Sequence, residues 1–209
     1  MFAYCGNDPV NQEDSSGMMM VSVCEYGGGG GSKSTSSYNR ANAVRYANTW
    51  YNARNSEYYS YSTDCANFVS QCLNAGGIKQ TDSWHMKKTK KNWWYNPLAW
   101  FFSNYRYDWD VGSAWSKADD QYHYFKNNPH NSTLYVGPYD SISSVVSSNG
   151  IQAGDLLYFV ENGTVHHATI ISSVSDSMIY FAGHTKSRFD EPLSGHIDSG
   201  GVFIIMMGD

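Results

Sequence analysis

Cys65 is the residue of this chain best placed to do chemistry. It follows Asp64 and opens Cys65-Ala66-Asn67-Phe68-Val69-Ser70-Gln71-Cys72-Leu73. Its apolar residues recur at three and four, which predicts a helix with Asp64 as N-cap and Gly76-Gly77 as the stop. The partial positive charge at a helix start favours a thiolate, the nucleophilic form of cysteine. Cys72 lies two turns on, about 10 Å away by the helical rise, too far for a disulfide with Cys65. Its mid-helix, apolar position reads as core. A cysteine nucleophile needs a base, usually histidine, oriented by a third polar group. Seven histidines are available. His85, His123 and His130 fall in an irregular middle region, and His196 in a Gly/Asp turn. His166 and His167 open the run VHHATIIS, and His184 ends MIYFAGHT. Alternate strand residues share a face, so His167, Thr169 and Ile171 point one way and His166 the other. A hairpin between the two runs brings His184 beside His167.

These residues must be carried by two kinds of element. From Tyr38 the pattern is helical: Ala43, Val44, Tyr46, Ala47, Trp50 and Tyr51 recur at three and four. A turn-rich stretch with Tyr58, Tyr59 and Tyr61 leads to the Cys65 helix. Residues 80–140 are aromatic and irregular, with a helix expected around Trp115–Lys126. After Gly154 the period changes. Asp155–Val160, Val165–Ser172, Met178–Ala182 and Val202–Met207 are short β-prone runs divided by Asn-Gly, Ser-Asp and Gly-Gly turns. Helices first and an antiparallel sheet last define an α+β domain.

Composition narrows the functions open to it. The chain has 209 residues, 14 Lys+Arg against 19 Asp+Glu, and a formal charge of −5. Without a basic tract, duplex nucleic acid is not expected as a partner. Seventeen Tyr and seven Trp exclude a wholly disordered chain, and no apolar run approaches a membrane span. Absence of a CxxC pair argues against a structural zinc site, so no metal or cofactor is expected. Residues 1–37 differ from the rest. They contain Cys5, Cys24, a Met18–Val23 run, Gly27–Gly31 and a Ser-rich stretch, the composition of a flexible tether or a fused or inhibitory pro-segment. The expected domain is 38–209. Cys5-Gly6-Asn7 looks like the start of a lipid-modified chain, although Tyr4 fits poorly and no apolar signal precedes it.

Four blocks carry a family resemblance. They are Tyr38-Asn39-Arg40 with Ala43-Val44, Tyr46-Ala47 and Trp50; Asp64–Leu73 with Ala75-Gly76-Gly77; Gly154–Phe159 followed by His167–Ile171; and His184-Thr185, Arg188 and Pro192-Leu193-Ser194. In this order they resemble the putative amidase domain of Gram-positive bacteria, a relative of NlpC-type, papain-like cell-wall peptidases. Ala66 stands where that family usually has Thr, and Ser187 where it has Asp. The resemblance implies a papain-like fold with N-terminal helices packed on a C-terminal antiparallel sheet. It makes Cys65 the nucleophile, His167 the base and His184 the group orienting His167. The oxyanion hole would use the backbone N–H of Cys65, with Tyr61 as a candidate second donor. Asp64 is read as a helix cap or a partner of Arg40. The implied substrate is an amide bond in cell-wall peptide or peptidoglycan. Expected with it are a monomeric state, an extracellular or cell-surface location, and a lipid anchor at Cys5. A thioester intermediate also permits acyl transfer to an amine or alcohol. The tryptophans of the middle region (Trp84, Trp93, Trp94, Trp100, Trp109, Trp115) either fill the core or line a wall-binding surface. A non-catalytic binding module is the alternative from a different class.

Overall fold

The computed structural model describes residues 38–91, 106–197 and 200–208. The tether residues 1–37 with Cys5 and Cys24, and Trp93, Trp94 and Trp100, lie outside the described residues. The α+β expectation holds. The elements run α1 (Arg40–Trp50), α2 (Cys65–Ala75), β1 (Met86–Lys91), β2 (Arg106–Val111), α3 (Ser113–Ser116), α4 (Ala118–Lys126), β3 (Ser132–Val136), α5 (Ile142–Asn149), β4 (Leu156–Glu161), β5 (Thr164–Ser175), β6 (Met178–Gly183), β7 (Arg188–Pro192) and β8 (Val202–Met206). Six strands form one sheet in the order β3-β8-β4-β5-β6-β7, antiparallel throughout, while β1 and β2 pair as a separate ribbon.

The sheet has two apolar faces because its central strands alternate without becoming polar. Leu156, Tyr158 and Val160 of β4 join Ala168 and Ile170 of β5 under α1, α2 and α4. Leu157 and Phe159 turn the other way, with Ile171, Ile179 and Phe181, and α5 lays Ile142, Val145 and Val146 over them. Burial on both sides is what a strand reading BBBBBe along LLYFVE implies. The register of β4 on β5 slips between Phe159 and Val160, since Phe159 faces His167 while Val160 faces Val165. His166 is thus the extra residue of a β-bulge.

Helix α2 is the buried one. Its residues from Cys65 through Leu73 are all buried, polar ones included. The polar groups are paired. Gln121 donates to the Ala66 carbonyl and to Ser70 Oγ, Trp84 Nε1 donates to Ser70 Oγ, and Trp115 Nε1 donates to Asn67 Oδ1. Each bond satisfies a group that would otherwise be costly to bury. Trp84 and Trp115 are core residues, fully buried with ring centroids 4.8 Å apart.

Candidate active site

Cys65 takes the first helical position of α2, and its side chain is 4% exposed. Burial pushes the thiol pKa up. The backbone N–H groups of Ala168, Ala66 and Cys65 itself pull it down without cancelling the burial. Helix-start polarity and desolvation therefore compete here, and desolvation wins. Cys72 is wholly buried in the core, its thiol raised well above the ordinary value by burial.

Asp64 holds the N-cap position, yet its carboxylate makes no capping bond. Nor does it meet Arg40, which pairs with Asp155 at 2.5 Å and donates to the Met207 carbonyl. Both expected roles give way to a buried polar cluster. Asp64 Oδ1 accepts from the Tyr61 N–H (3.0 Å) and Asn67 Nδ2 (2.8 Å), while Oδ2 lies 2.8 Å from His184 Nδ1 and 3.2 Å from Arg54 Nε. Burial alone would raise the Asp64 pKa. The hydrogen bonds from His184, Asn67 and Tyr61 and the Arg54 charge outweigh it, holding the carboxyl below its usual range.

His184 is 1% exposed and stacks on Phe68, one turn beyond Cys65, with ring centroids 3.9 Å apart. Its Nε2–H donates to the Trp50 carbonyl at 2.7 Å, and Nδ1 meets Asp64 and Arg54 Nη1. Both ring nitrogens are committed to these partners and none is His167. His167 lies instead on the far face of the sheet from α2, against Phe159 at 5.8 Å between centroids. Burial, His166, Arg188 and Lys186 lower its pKa to about 4. It is a neutral imidazole at pH 7. His166 is exposed.

Cys65, His167 and His184 converge through chain neighbours more than through side chains. The Ala168 N–H that reaches Cys65 belongs to the residue after His167. A Cβ on Gly183, the residue before His184, would fall 3.7 Å from His167 Nε2. Among the described residues no hydrogen bond joins the Cys65 thiol to an imidazole, or His167 to His184. The Tyr61 ring is half-buried beside Tyr59, and its phenol is raised by burial and lowered by Ser116. Its backbone N–H, rather than its hydroxyl, serves the cluster. Among the described residues no group of three His, Cys, Asp or Glu could hold a metal ion. Arg54 escaped sequence reasoning. It is the only Lys or Arg between residues 46 and 78, and that isolation, in a stretch leading to a buried carboxylate, was the available signal.

Residues 37–206 match the family model described as "putative amidase domain". The chain belongs to this family. It is also 29% identical over 136 residues to the "Uncharacterized protein YhbB" of Bacillus subtilis (strain 168), an alignment covering 64% of this chain and 37% of the relative. The chain thus spans well under half the length of that curated relative. No solved structure matches.

Proposed function

We propose that this domain hydrolyses an amide bond through Cys65, by way of a thioester. One observation carries the reading. The only cysteine at a helix start among the described residues adjoins a buried Asp64–His184 pair and takes the backbone N–H of the residue following His167. Membership of an amidase family supports amide hydrolysis as the reaction class.

The thiol must lose its proton before it attacks, because burial favours the neutral form. His167 is the imidazole able to receive that proton. It is neutral at pH 7, whereas both His184 nitrogens are occupied. In this reading β5 must turn His167 toward the α2 face, and the bulge at His166, where the β4–β5 register slips, is where that turn would fall. The thiolate adds to the amide carbonyl, and backbone N–H groups at the start of α2 stabilise the resulting oxyanion. The C–N bond breaks as His167 returns the proton to the leaving amine. Water, deprotonated by His167, then attacks the thioester, releasing the acid and the thiol. His184 holds Asp64, and through it the Tyr61–Cys65 turn. A second reading makes His184 the base, since it alone of the two lies on the α2 face.

The resemblance to NlpC-type, papain-like peptidases points to cell-wall peptide as substrate and to a location outside the cytoplasm, with residues 1–37 as the tether. The test is incubation with purified wall and mass spectrometry of the fragments. Wild type is expected to release paired new amino and carboxyl ends. Cys65→Ala is expected to release none, and Cys72→Ala to retain turnover. Fragment release by folded Cys65→Ala would end the proposal.

A further inference from the structure

The β1–β2 ribbon is the most basic element of an acidic chain. Lys occupies four of the six β1 positions in MKKTKK, against a formal charge of −5 for the whole. Its register sorts the two faces. Lys88 stands opposite Trp109 and Lys90 opposite Tyr107, whereas Lys87 faces Asp110 and Thr89 faces Asp108. Directly opposed residues share a face. One face therefore carries Lys88 among aromatic rings, and the other sets Lys87 opposite Asp110.

The aromatic face is built and exposed. Lys88 Nζ lies 4.7 Å from the Tyr107 centroid and 5.3 Å from that of Trp109. Tyr107 is 47% exposed and Tyr59 45%. The stripe continues off the ribbon, for Tyr59 meets the edge of Trp109 at 6.2 Å and Tyr61 at 4.7 Å. Tyr61 donates its N–H to Asp64, the residue before Cys65. A stripe of rings around the Lys88 ammonium group thus runs from the ribbon to Tyr61, three residues before Asp64.

We propose that this stripe binds an acidic polysaccharide and leads it toward Cys65. Flat apolar faces seat the C–H faces of sugar rings, and an ammonium group among them takes a carboxylate. Tyr107 and Trp109 are two residues apart, about 7 Å along a strand, a spacing for successive rings of an extended glycan. Neighbouring rings meet at steep angles of 69° and 63°, which does not form the parallel stair that stacked nucleic-acid bases require. The binding surface stands on its own residues. Only its link to hydrolysis rests on the Cys65 reading, so binding is tested in the 209-residue chain carrying Cys65→Ala, which needs no turnover.

Binding of polygalacturonate, neutral dextran, polyglutamate and an oligothymidylate is measured by fluorescence of the labelled probes. Polygalacturonate is expected to bind most tightly. Lys88→Gln and Tyr107→Ala, each added to that background, should weaken it about fivefold or more, the size of one lost cation or ring contact. Lys87→Gln, on the opposite face, removes the same charge and should change affinity less than about twofold. Circular dichroism melts check that each variant folds. Equal losses from Lys87→Gln and Lys88→Gln would mean unspecific charge attraction and would overturn the proposal. So would tighter binding of dextran, polyglutamate or oligothymidylate, or no binding of polygalacturonate.

Discussion

At the scale of single residues, the two strand histidines separate by what each does for the fold. His184 fills a buried site in which the Trp50 carbonyl loses its ring donor, and Asp64 one of several partners, if the ring goes. His184→Ala should therefore cost about 1–3 kcal/mol of stability, as leaving buried polar partners unsatisfied does. His167→Ala should leave the melting temperature close to wild type while lowering turnover about 10²–10⁴-fold, the usual range for a lost general base. Assays below the melting point of His184→Ala distinguish the two readings. An active His167→Ala beside a folded but inactive His184→Ala would transfer the base to His184. Acid titration gives a second check. The folded pKa of His167 is about 4, below an ordinary imidazole at about 6.5, so the unfolded chain binds the proton first. Stability should fall as pH drops from about 6.5 to about 4 and then level off for this group. His167→Gln should flatten that limb in denaturant melts. Asp64, with its depressed pKa, stabilises the fold above the ordinary carboxylate range and loses this contribution only as pH falls through its lower folded value.

At the scale of elements, the glycine turn before β4 is more tightly specified than its sequence suggests. Gly154 has φ +91, and a Cβ there would sit 2.8 Å from Arg40 Cβ. Its carbonyl accepts from the Tyr38 hydroxyl at 2.8 Å, and the next residue, Asp155, holds Arg40. Gly154→Ala combines backbone strain with a clash against α1 and should cost about 1–3 kcal/mol in a thermal melt. The helices α1 and α2 and the strands β4, β5, β6 and β8 were legible because their apolar residues repeat at 3.6 or form short β-branched runs. The ribbon was not. MKKTKK has no apolar alternation after Met86, and the ring contacts that hold it come from Tyr59, far off in sequence. Nor were β3, β7 and α5. β7 is a five-residue edge strand ending in Pro192 with Asp190 at φ +56, and α5 mixes serine with valine on a helix that buries little. In the site, the position of Cys65 followed from local pattern. The Asp64–His184 bond did not, since 120 residues separate its ends. The faces of His166 and His167 depended on a bulge, which alternation alone does not reveal.

At the scale of the whole molecule, the proposal that residues 1–37 are a tether has a direct test. Their Gly- and Ser-rich stretch offers too little apolar surface to offset the entropy of ordering it. Deleting residues 1–37 should leave both melting temperature and turnover unchanged. A lower melting temperature would mean that the Met18–Val23 run docks as a strand, and a higher turnover would mean an inhibitory pro-segment. Ion pairing ties distant parts of the domain together, for Arg40 of α1 binds Asp155 and the Met207 carbonyl, while the Met207 N–H donates to Asp155 at 2.9 Å.

The strand β8 sits inside the sheet, between β3 and β4. During synthesis residues 202–206 leave the ribosome after every other described element, yet the sheet cannot close without them. Until they arrive, β3 has no neighbour and β4 exposes an unpaired edge, the kind of surface that recruits other chains. The sheet on which Cys65 rests is therefore complete only once residues 202–206 have joined it. A chain stopped anywhere before residue 202 should therefore keep an open sheet edge, and aggregation of that truncated chain is the measurement that checks it.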